Sequence, residues 1–353
     1  MIRLATRRAV LLSLALAVLG SAAWAQTTSP GFLKRDVFFT GEDPAVGTLD
    51  GLTNDFNYPD FPDETTYQGA AESIPDYSDA YGVRMTGFVT VPESGLYDFY
   101  WSSDDNGNLW LSTDASEANV RLLASEPDWN GPRDWTGVAN GRDPAAPENR
   151  STTLFPGGIQ LNAGQKYFVE MLMKDGGGGD NAAFTMVKQG DPLPVNGSPA
   201  AGGLYIGVDE TAAGATVAIT QQPDPVSVTI TENETATFTA AATGNSSVSG
   251  DQVAYQWFKD GQPVTGGWAA SYTTPPLTPA DDGAEYTVVA YVVGAESAPS
   301  SPATVTVNAD TTPPELVSAA GNLGFDQVTV VFSEPVGQTS AETVGNYSLA
   351  PSL

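Results

Sequence analysis

The spacing of apolar residues is the feature that most limits what this chain can fold into. After the N-terminal 25 residues, no long segment repeats its apolar residues with the 3.6-residue period of an amphipathic helix. Short runs of aromatic and β-branched residues alternate instead with turns, supplied by 37 glycines and 26 prolines. This pattern is typical of β-sandwiches and β-barrels, so the sequence predicts an all-β protein.

The first 25 residues have the organisation of a secretory signal peptide. Arg3, Arg7 and Arg8 precede the apolar run 9–19, and a small-residue cleavage site follows at 23–25. The run is too short to span a bilayer, and no run of about 18 apolar residues occurs later. We therefore expect a secreted, extracellular or cell-surface protein without a transmembrane segment.

Composition excludes several kinds of chemistry. The chain has no histidine and no cysteine, which excludes Ser-His-Asp and Cys-His catalysis and an ordinary zinc site. Its formal net charge of −28 opposes binding to nucleic acid or anionic lipid. Carboxylate chemistry remains, either as ligands for a hard cation such as calcium or as an acid/base pair in glycoside hydrolysis.

Three segments follow the predicted signal peptide. The first covers about 31–208, the second 215–308 and the third 312–353. Trp257 in the second has the placing of the core tryptophan of an immunoglobulin-type sandwich, with Val288 and a residue near Ala240 at its usual cysteine positions. The third resembles a bacterial immunoglobulin-like domain but is too short to be complete. We therefore expect the chain to be the N-terminal part of a longer protein that carries a surface anchor or a further activity.

The stretch "SSDDNGNLW" in the first segment allows two interpretations. Asn106-Gly107 between two strand-like runs predicts a β-hairpin turn, and Asp104 and Asp105 beside it need no metal in that interpretation. Alternatively, the two aspartates bind one cation. Because consecutive side chains of an extended strand point to opposite faces, this requires a kink between them, for example a cis peptide.

Several motifs of the first segment resemble those of one known family. These are "GLYDFYWSSDDNGNLWLSTD", then "ANVRLLASEPDW", then "LNAGQKYFVEMLMKDGGGGDNAAFTM". In this order they resemble the protective-antigen-type β-barrel, the PA-fourteen domain, over most of 31–208. The family occurs in bacterial toxins, secreted glycosidases and adhesins. In its lectin members a cis-linked Asp-Asp pair and an Asn from a second loop bind a calcium ion that coordinates sugar hydroxyls.

The resemblance implies a site in this chain. It places calcium on Asp104 and Asp105, with Asp180 and Asn181 of "KDGGGGDN" as partners. Near the site, Trp110, Trp129 and Trp135 offer a face for a sugar ring, although packing in the barrel or its loops is the more frequent role of a tryptophan.

Three functions remain open. The first is a secreted or surface-exposed adhesion protein that binds carbohydrate through calcium, with immunoglobulin-like spacers. The second is a structural surface module in which any calcium only rigidifies loops. The third is an accessory region of a larger carbohydrate-active enzyme, since the chain itself shows no catalytic constellation.

Overall fold

The computed structural model of the protein describes residues 28–40, 48–136, 150–321, 327–333 and 336–348. The predicted signal peptide lies outside the described residues. Strands dominate the chain, which confirms the all-β prediction. Eleven strands lie before residue 209: β1 Ser29–Pro30, β2 Leu33–Phe38, β3 Glu64–Gln68, β4 Gly82–Val89, β5 Gly95–Asp104, β6 Asn106–Ser112, β7 Val120–Glu126, β8 Ile159–Leu161, β9 Tyr167–Lys174, β10 Asn181–Lys188 and β11 Ile206–Val208. Two short helices, α1 Leu49–Thr53 and α2 Ser151–Leu154, lie between them.

These eleven strands form two sheets, which together we call the barrel. Eight strands make the larger sheet, with the order β1-β11-β4-β9-β6-β7, while β2 pairs with β4 and β3 with β2. The smaller sheet has the order β10-β5-β8. Residues alternate between buried and partly exposed along β4, as expected for a strand with one face on the core.

One apolar core lies between the two sheets. The larger sheet contributes side chains such as Met85 and Val169, and the smaller sheet contributes Phe99, Trp101 and Phe184, all essentially inaccessible to solvent. This shared core joins the two sheets.

The predicted hairpin at Asn106-Gly107 is wrong. β5 pairs with β10 and β8, whereas β6 pairs with β9 and β7, so the chain changes sheets between Asp104 and Asn106. Gly107 already lies in β6, and the absence of a side chain there lets the backbone of β6 pack closely against neighbouring residues. A Cβ atom there would contact Ser103 Oγ and lie 2.9 Å from Leu172 O.

Nine further strands lie between residues 216 and 308, and we call this unit the second sandwich. They are β12 Thr216–Asp224, β13 Ser227–Thr231, β14 Thr237–Asn245, β15 Ala254–Lys259, β16 Gln262–Pro263, β17 Ser271–Thr273, β18 Glu285–Val292, β19 Ala295–Glu296 and β20 Ala303–Asn308. One sheet has the order β12-β14-β17 and the other β13-β20-β18-β15-β16, with β19 on β18.

Trp257 lies in the core of this second unit. Its indole is fully buried among residues that include Ala240 and Val288, the positions at which the sequence interpretation placed the missing cysteines. Apolar packing therefore fills that part of the core. The immunoglobulin-like assignment and the domain boundaries stay predictions.

The end of the described chain forms a two-stranded sheet. β21 (Leu316–Gly321) pairs with β22 (Val328–Phe332), and the short helix α3 (Gln338–Ala341) follows. Across the described residues, no helix has the length and apolar character needed to cross a bilayer.

Candidate functional site

The carboxylates of interest lie where strands of both sheets end together. Asp104 ends β5 opposite Asn181, and Lys174 at the end of β9 pairs with both Gly82 of β4 and Asn106 of β6. The residues just beyond these strand ends therefore meet at one end of the barrel, which we call the acidic rim: Asp76, Asp79, Asp104, Asp105, Asp175 and Asp180.

Asp104 and Asp105 form a close pair of carboxylates. The peptide bond that joins them is cis. Burial, followed by the charge of Asp105, raises the pKa of Asp104 to about 7. Asp105 Oδ2 also accepts a hydrogen bond of 2.8 Å from the backbone N–H of Gly176, the residue after Asp175.

Asp175, like Asp76 and Asp79, is a residue of the rim that the sequence interpretation did not name. It is fully buried, and neither carboxylate oxygen has a hydrogen-bond partner. Burial, then the charges of Asp105 and Asp180, raises the pKa of Asp175 to about 7. The Ala80 backbone N–H lies close enough to oppose this shift, but its geometry does not meet that of a hydrogen bond to the carboxylate. A buried carboxylate without partners is costly, so a cation at this position would offset a real penalty.

Asp180 has hydrogen-bond donors within the protein. Its carboxylate accepts hydrogen bonds from the Tyr77 backbone N–H at 2.6 Å, the Ser78 backbone N–H at 3.3 Å and the Tyr81 hydroxyl at 2.8 Å. Burial nevertheless raises its pKa. Through these bonds Asp180 ties the loop around Tyr77 to the glycine-rich loop, and its predicted role as a cation ligand stays a prediction.

Asn181 is likewise engaged within the protein. Its backbone lies opposite Asp104 in the β5–β10 pair. Its amide, however, accepts a hydrogen bond from the Ser102 hydroxyl at 2.8 Å and donates one to Asn130 O at 2.9 Å. These contacts use the amide of Asn181 within the protein, and the prediction that it completes a cation site stays a prediction.

The glycine-rich loop borders the rim closely. Gly178 N–H donates a hydrogen bond of 3.0 Å to Asp79 Oδ1. A Cβ atom at Gly179 would lie 3.4 Å from Asp76 Oδ1 and 3.7 Å from Asp104 Oδ2, so these two oxygens flank the same point. The small residues let the loop backbone approach the carboxylates.

The three tryptophans occupy different environments. Trp135 is fully buried and donates its indole N–H to Ser198, so the prediction of a sugar-facing role for it is wrong. Trp110 lies within β6 opposite Glu170, five positions beyond Asp105. Trp129 is half-buried and forms a β-bridge with Asp104. Trp129 is therefore the aromatic residue of the three that the fold places beside the carboxylate pair.

The donor set suits a hard cation that is not fully enclosed by side chains. No group of three or more Asp or Glu residues in the described part of the chain already stands at metal-ligating spacing. The oxygens of Asp175 have no hydrogen-bond partner, and the Asp104-Asp105 pair beside them accepts only the Gly176 N–H at Asp105 Oδ2 among the hydrogen bonds described above. Ca²⁺ accepts irregular shells of six to eight oxygens, including water and carbonyls, so these residues fit calcium.

The raised pKa values predict a pH dependence of stability. Asp104 and Asp175 bind protons more tightly in the folded protein, at about 7, than at their ordinary value of 3.8. Without metal, the stabilisation from protonation is fully present below about pH 4 and is lost as the pH rises through 7. We expect the melting temperature in chelator to fall by several degrees between pH 5 and pH 8, measured by scanning calorimetry. Asp175→Asn should flatten this profile, and an unchanged slope in that variant would contradict the assignment.

Comparison with protein families finds a match within the first unit. Residues 42–118, which include the Asp104-Asp105 pair and β4 to β6, match the model of the PA14 domain. This segment is therefore similar to the PA14 domain, in agreement with the resemblance of the sequence motifs to the protective-antigen-type family.

Part of this chain is similar in sequence to a mouse protein. A mouse protein, N-acetyl-beta-glucosaminyl-glycoprotein 4-beta-N-acetylgalactosaminyltransferase 1, is 28% identical over 137 residues, which are 38% of this chain and 12% of the mouse protein. The chain thus spans only a small part of that relative.

Two solved structures align with about half of the chain at low sequence identity. The Epithelial Adhesin 6 A domain from Candida glabrata, in complex with Galb1-3GlcNAc, is 14% identical and aligns with 52% of this chain and 88% of its own at a TM-score of 0.33. The PA14 domain of the MpAFP antifreeze protein is 13% identical, covering 52% and 94% of the two chains at a TM-score of 0.34.

Proposed function

We propose that the acidic rim of the barrel binds one calcium ion through Asp104, Asp105 and Asp175. The observation that carries this proposal is Asp175, a fully buried carboxylate with two unpaired oxygens, which lies next to the Asp104-Asp105 pair through the Gly176–Asp105 hydrogen bond. A divalent cation replaces the protons that otherwise neutralise these groups, and it satisfies oxygens that no protein donor reaches.

The remaining ligands would come from small or mobile groups. Three side chains leave several of the six to eight positions of a calcium shell open. Backbone carbonyls of the glycine-rich loop 176–179 and water are suitable oxygen donors, and so are the vicinal hydroxyls of a sugar. The open side of the ion thus gives it a role beyond holding loops together.

We further propose that the ion and Trp129 together bind a carbohydrate. The half-buried Trp129 lies beside Asp104 through a β-bridge, so its ring is the nearest candidate for packing against a sugar face. The mouse relative's name describes an enzyme that acts on glycoprotein glycans, which is consistent with a glycan-related role for the shared segment. With its predicted signal peptide, the protein would act outside the cell or on its surface as an adhesion or glycan-targeting protein.

A second function is favoured by the bonds of Asp180. This carboxylate already joins the Tyr77 segment to the glycine-rich loop, so calcium at the rim would extend an existing loop-ordering network. In that case calcium stabilises the protein but no glycan binds. The two functions differ in one observable, the calcium-dependent retention of sugar.

A glycan array with the full chain tests the carbohydrate step. Binding in millimolar calcium that disappears in chelator, and in Asp105→Ala, supports the proposal. Glycan binding that persists in chelator would separate the sugar site from the ion. If no glycan is retained while calcium still raises the melting temperature, the loop-ordering function is the correct one.

Trp129 provides a variant that separates sugar binding from calcium binding. We expect Trp129→Ala to weaken glycan affinity by about 10-fold or more, because stacking of a sugar on an aromatic ring supplies a large share of such contacts. Calcium affinity should change by less than about 2-fold, measured by calorimetry. Trp129→Phe is the control and should retain most of the glycan affinity. Equal affinities for wild type and Trp129→Ala would exclude this residue from the sugar site.

A further inference from the structure

The second sandwich contributes a side chain to the core of the barrel. Trp268 lies in the segment between β16 and β17, yet it is only 5% exposed and belongs to the same buried cluster as residues of the two barrel sheets. Its ring centroid is 5.2 Å from that of Tyr205, just before β11. The apolar core of the barrel therefore includes a residue from more than 60 positions later in the chain.

Polar contacts fix the same junction. The Tyr205 hydroxyl and Thr265 Oγ1 are 2.9 Å apart, and the backbone N–H of Leu204 donates to Gln256 Oε1 at 3.2 Å. Gln256 is fully buried, and its amide nitrogen donates in turn to Trp257 O and Val264 O. Because a buried amide is costly without partners, Gln256 specifies how the two units face each other.

The backbones of the two units also approach closely. A Cβ atom at Gly31 would lie 2.5 Å from Ala254 Cβ, and one at Gly203 would contact Gln256 Oε1 and lie 2.8 Å from Tyr255 O. Around these points, Phe32 and Val208 of the barrel pack with Ala254, Tyr291 and Val293 of the second sandwich in one buried cluster. The junction thus has the packing of a protein core.

We infer that the barrel and the second sandwich form a single cooperative folding unit, in which the second sandwich packs against one end of the barrel. This goes beyond calcium or sugar binding and does not depend on them. It also replaces the expectation of a detached spacer: the second sandwich completes the barrel core and holds it in one orientation.

The junction and the acidic rim lie at opposite ends of the barrel strand β4. The Gly82 end of β4 lies at the rim, whereas its Val89 end pairs with β11 at the junction. Eight residues of strand separate the two ends, about 23 Å. The second sandwich therefore contacts the barrel at the end of β4 opposite the rim.

Hydrogen exchange on the full chain tests the inference. In wild type, the slowest-exchanging amides of β5 in the barrel and of β18 in the second sandwich should share one opening free energy, because both are exposed only by global unfolding. Trp268→Ala should lower protection on the order of 100-fold in both strands and lower the melting temperature by about 10 °C. Val226→Ala, at a surface residue that is 68% exposed, is the control and should change neither.

Thr265→Val provides a milder variant in case Trp268→Ala does not fold. It removes the bond to the Tyr205 hydroxyl and should reduce protection in β5 and β18 by the same factor, about 3- to 10-fold. The inference is overturned if either variant reduces protection only in β18. It is also overturned if the wild-type chain melts in two transitions, one for each unit.

Discussion

Asp175→Ala is expected to abolish the stabilisation of this protein by calcium, with calcium affinity reduced by about 100-fold or more. The variant loses the only rim carboxylate that is fully buried with both oxygens unpaired, the group for which a cation provides the largest compensation. Without metal, the same substitution should raise the melting temperature at pH 8, because it removes a buried charge that has no partner. The change in sign between the two conditions is the distinctive result.

Scanning calorimetry in chelator and in 10 mM calcium measures both effects. This concentration is about tenfold above the dissociation constant of a weak extracellular calcium site, which is about 1 mM. Asp251→Ala is a matched control, since Asp251 is exposed in the second sandwich and lies away from the rim. The control should keep the full calcium shift. An Asp175→Ala protein that is still stabilised by calcium to the wild-type extent would remove Asp175 from the site.

Gly107→Ala should be the most destabilising single-methyl substitution at the rim. The added Cβ would contact Ser103 Oγ and lie 2.8 Å from the Trp101 ring and 2.9 Å from Leu172 O. Trp101 is fully buried and Leu172 O belongs to the backbone of β9, so neither neighbour moves easily. We expect a loss of about 3 kcal/mol, equivalent to a fall of about 6–12 °C in melting temperature.

Gly157→Ala provides the comparison for this substitution. Gly157 is exposed, and nothing lies within 4 Å of the position its Cβ would take, so its melting temperature should stay within about 1–2 °C of wild type. If Gly107→Ala and Gly157→Ala have the same melting temperature, the close approach between β6 and the end of β5 does not constrain the fold.

The all-β class could be predicted because it depends on local signals. The alternation of apolar residues along β4 follows from period and residue type alone, whereas the burial of Trp257 was expected from its resemblance in placing to the core tryptophan of an immunoglobulin-type sandwich. The connection between β5 and β6 could not, because Asn-Gly between two strand-like runs is typical of a hairpin wherever both strands belong to one sheet. Here the strands join different sheets, and Gly107 is required by the packing of Trp101 and Leu172 instead.

The candidate site could be predicted only in part, because some of its features depend on contacts between residues that are distant in sequence. Asp104 and Asp105 are adjacent in sequence, so a pair was visible at once. Choosing between Asp175 and Asp180 in "KDGGGGDN" required the register of β9 and the donors around Tyr81, which depend on contacts distant in sequence. Strand-end position was the available signal, since Asp175 directly follows β9. Trp135 shows the same limit, because its burial depends on Ser198.

Isothermal titration of the full chain with Ca²⁺ at pH 8 tests the central claim most directly. We predict saturable binding of one ion at the rim, accompanied by greater proton release at pH 6.5 than at pH 8, because Asp104 and Asp175 have pKa values of about 7 and must lose their protons to bind. Absence of binding heat and of any calcium-dependent rise in melting temperature up to 10 mM would contradict it.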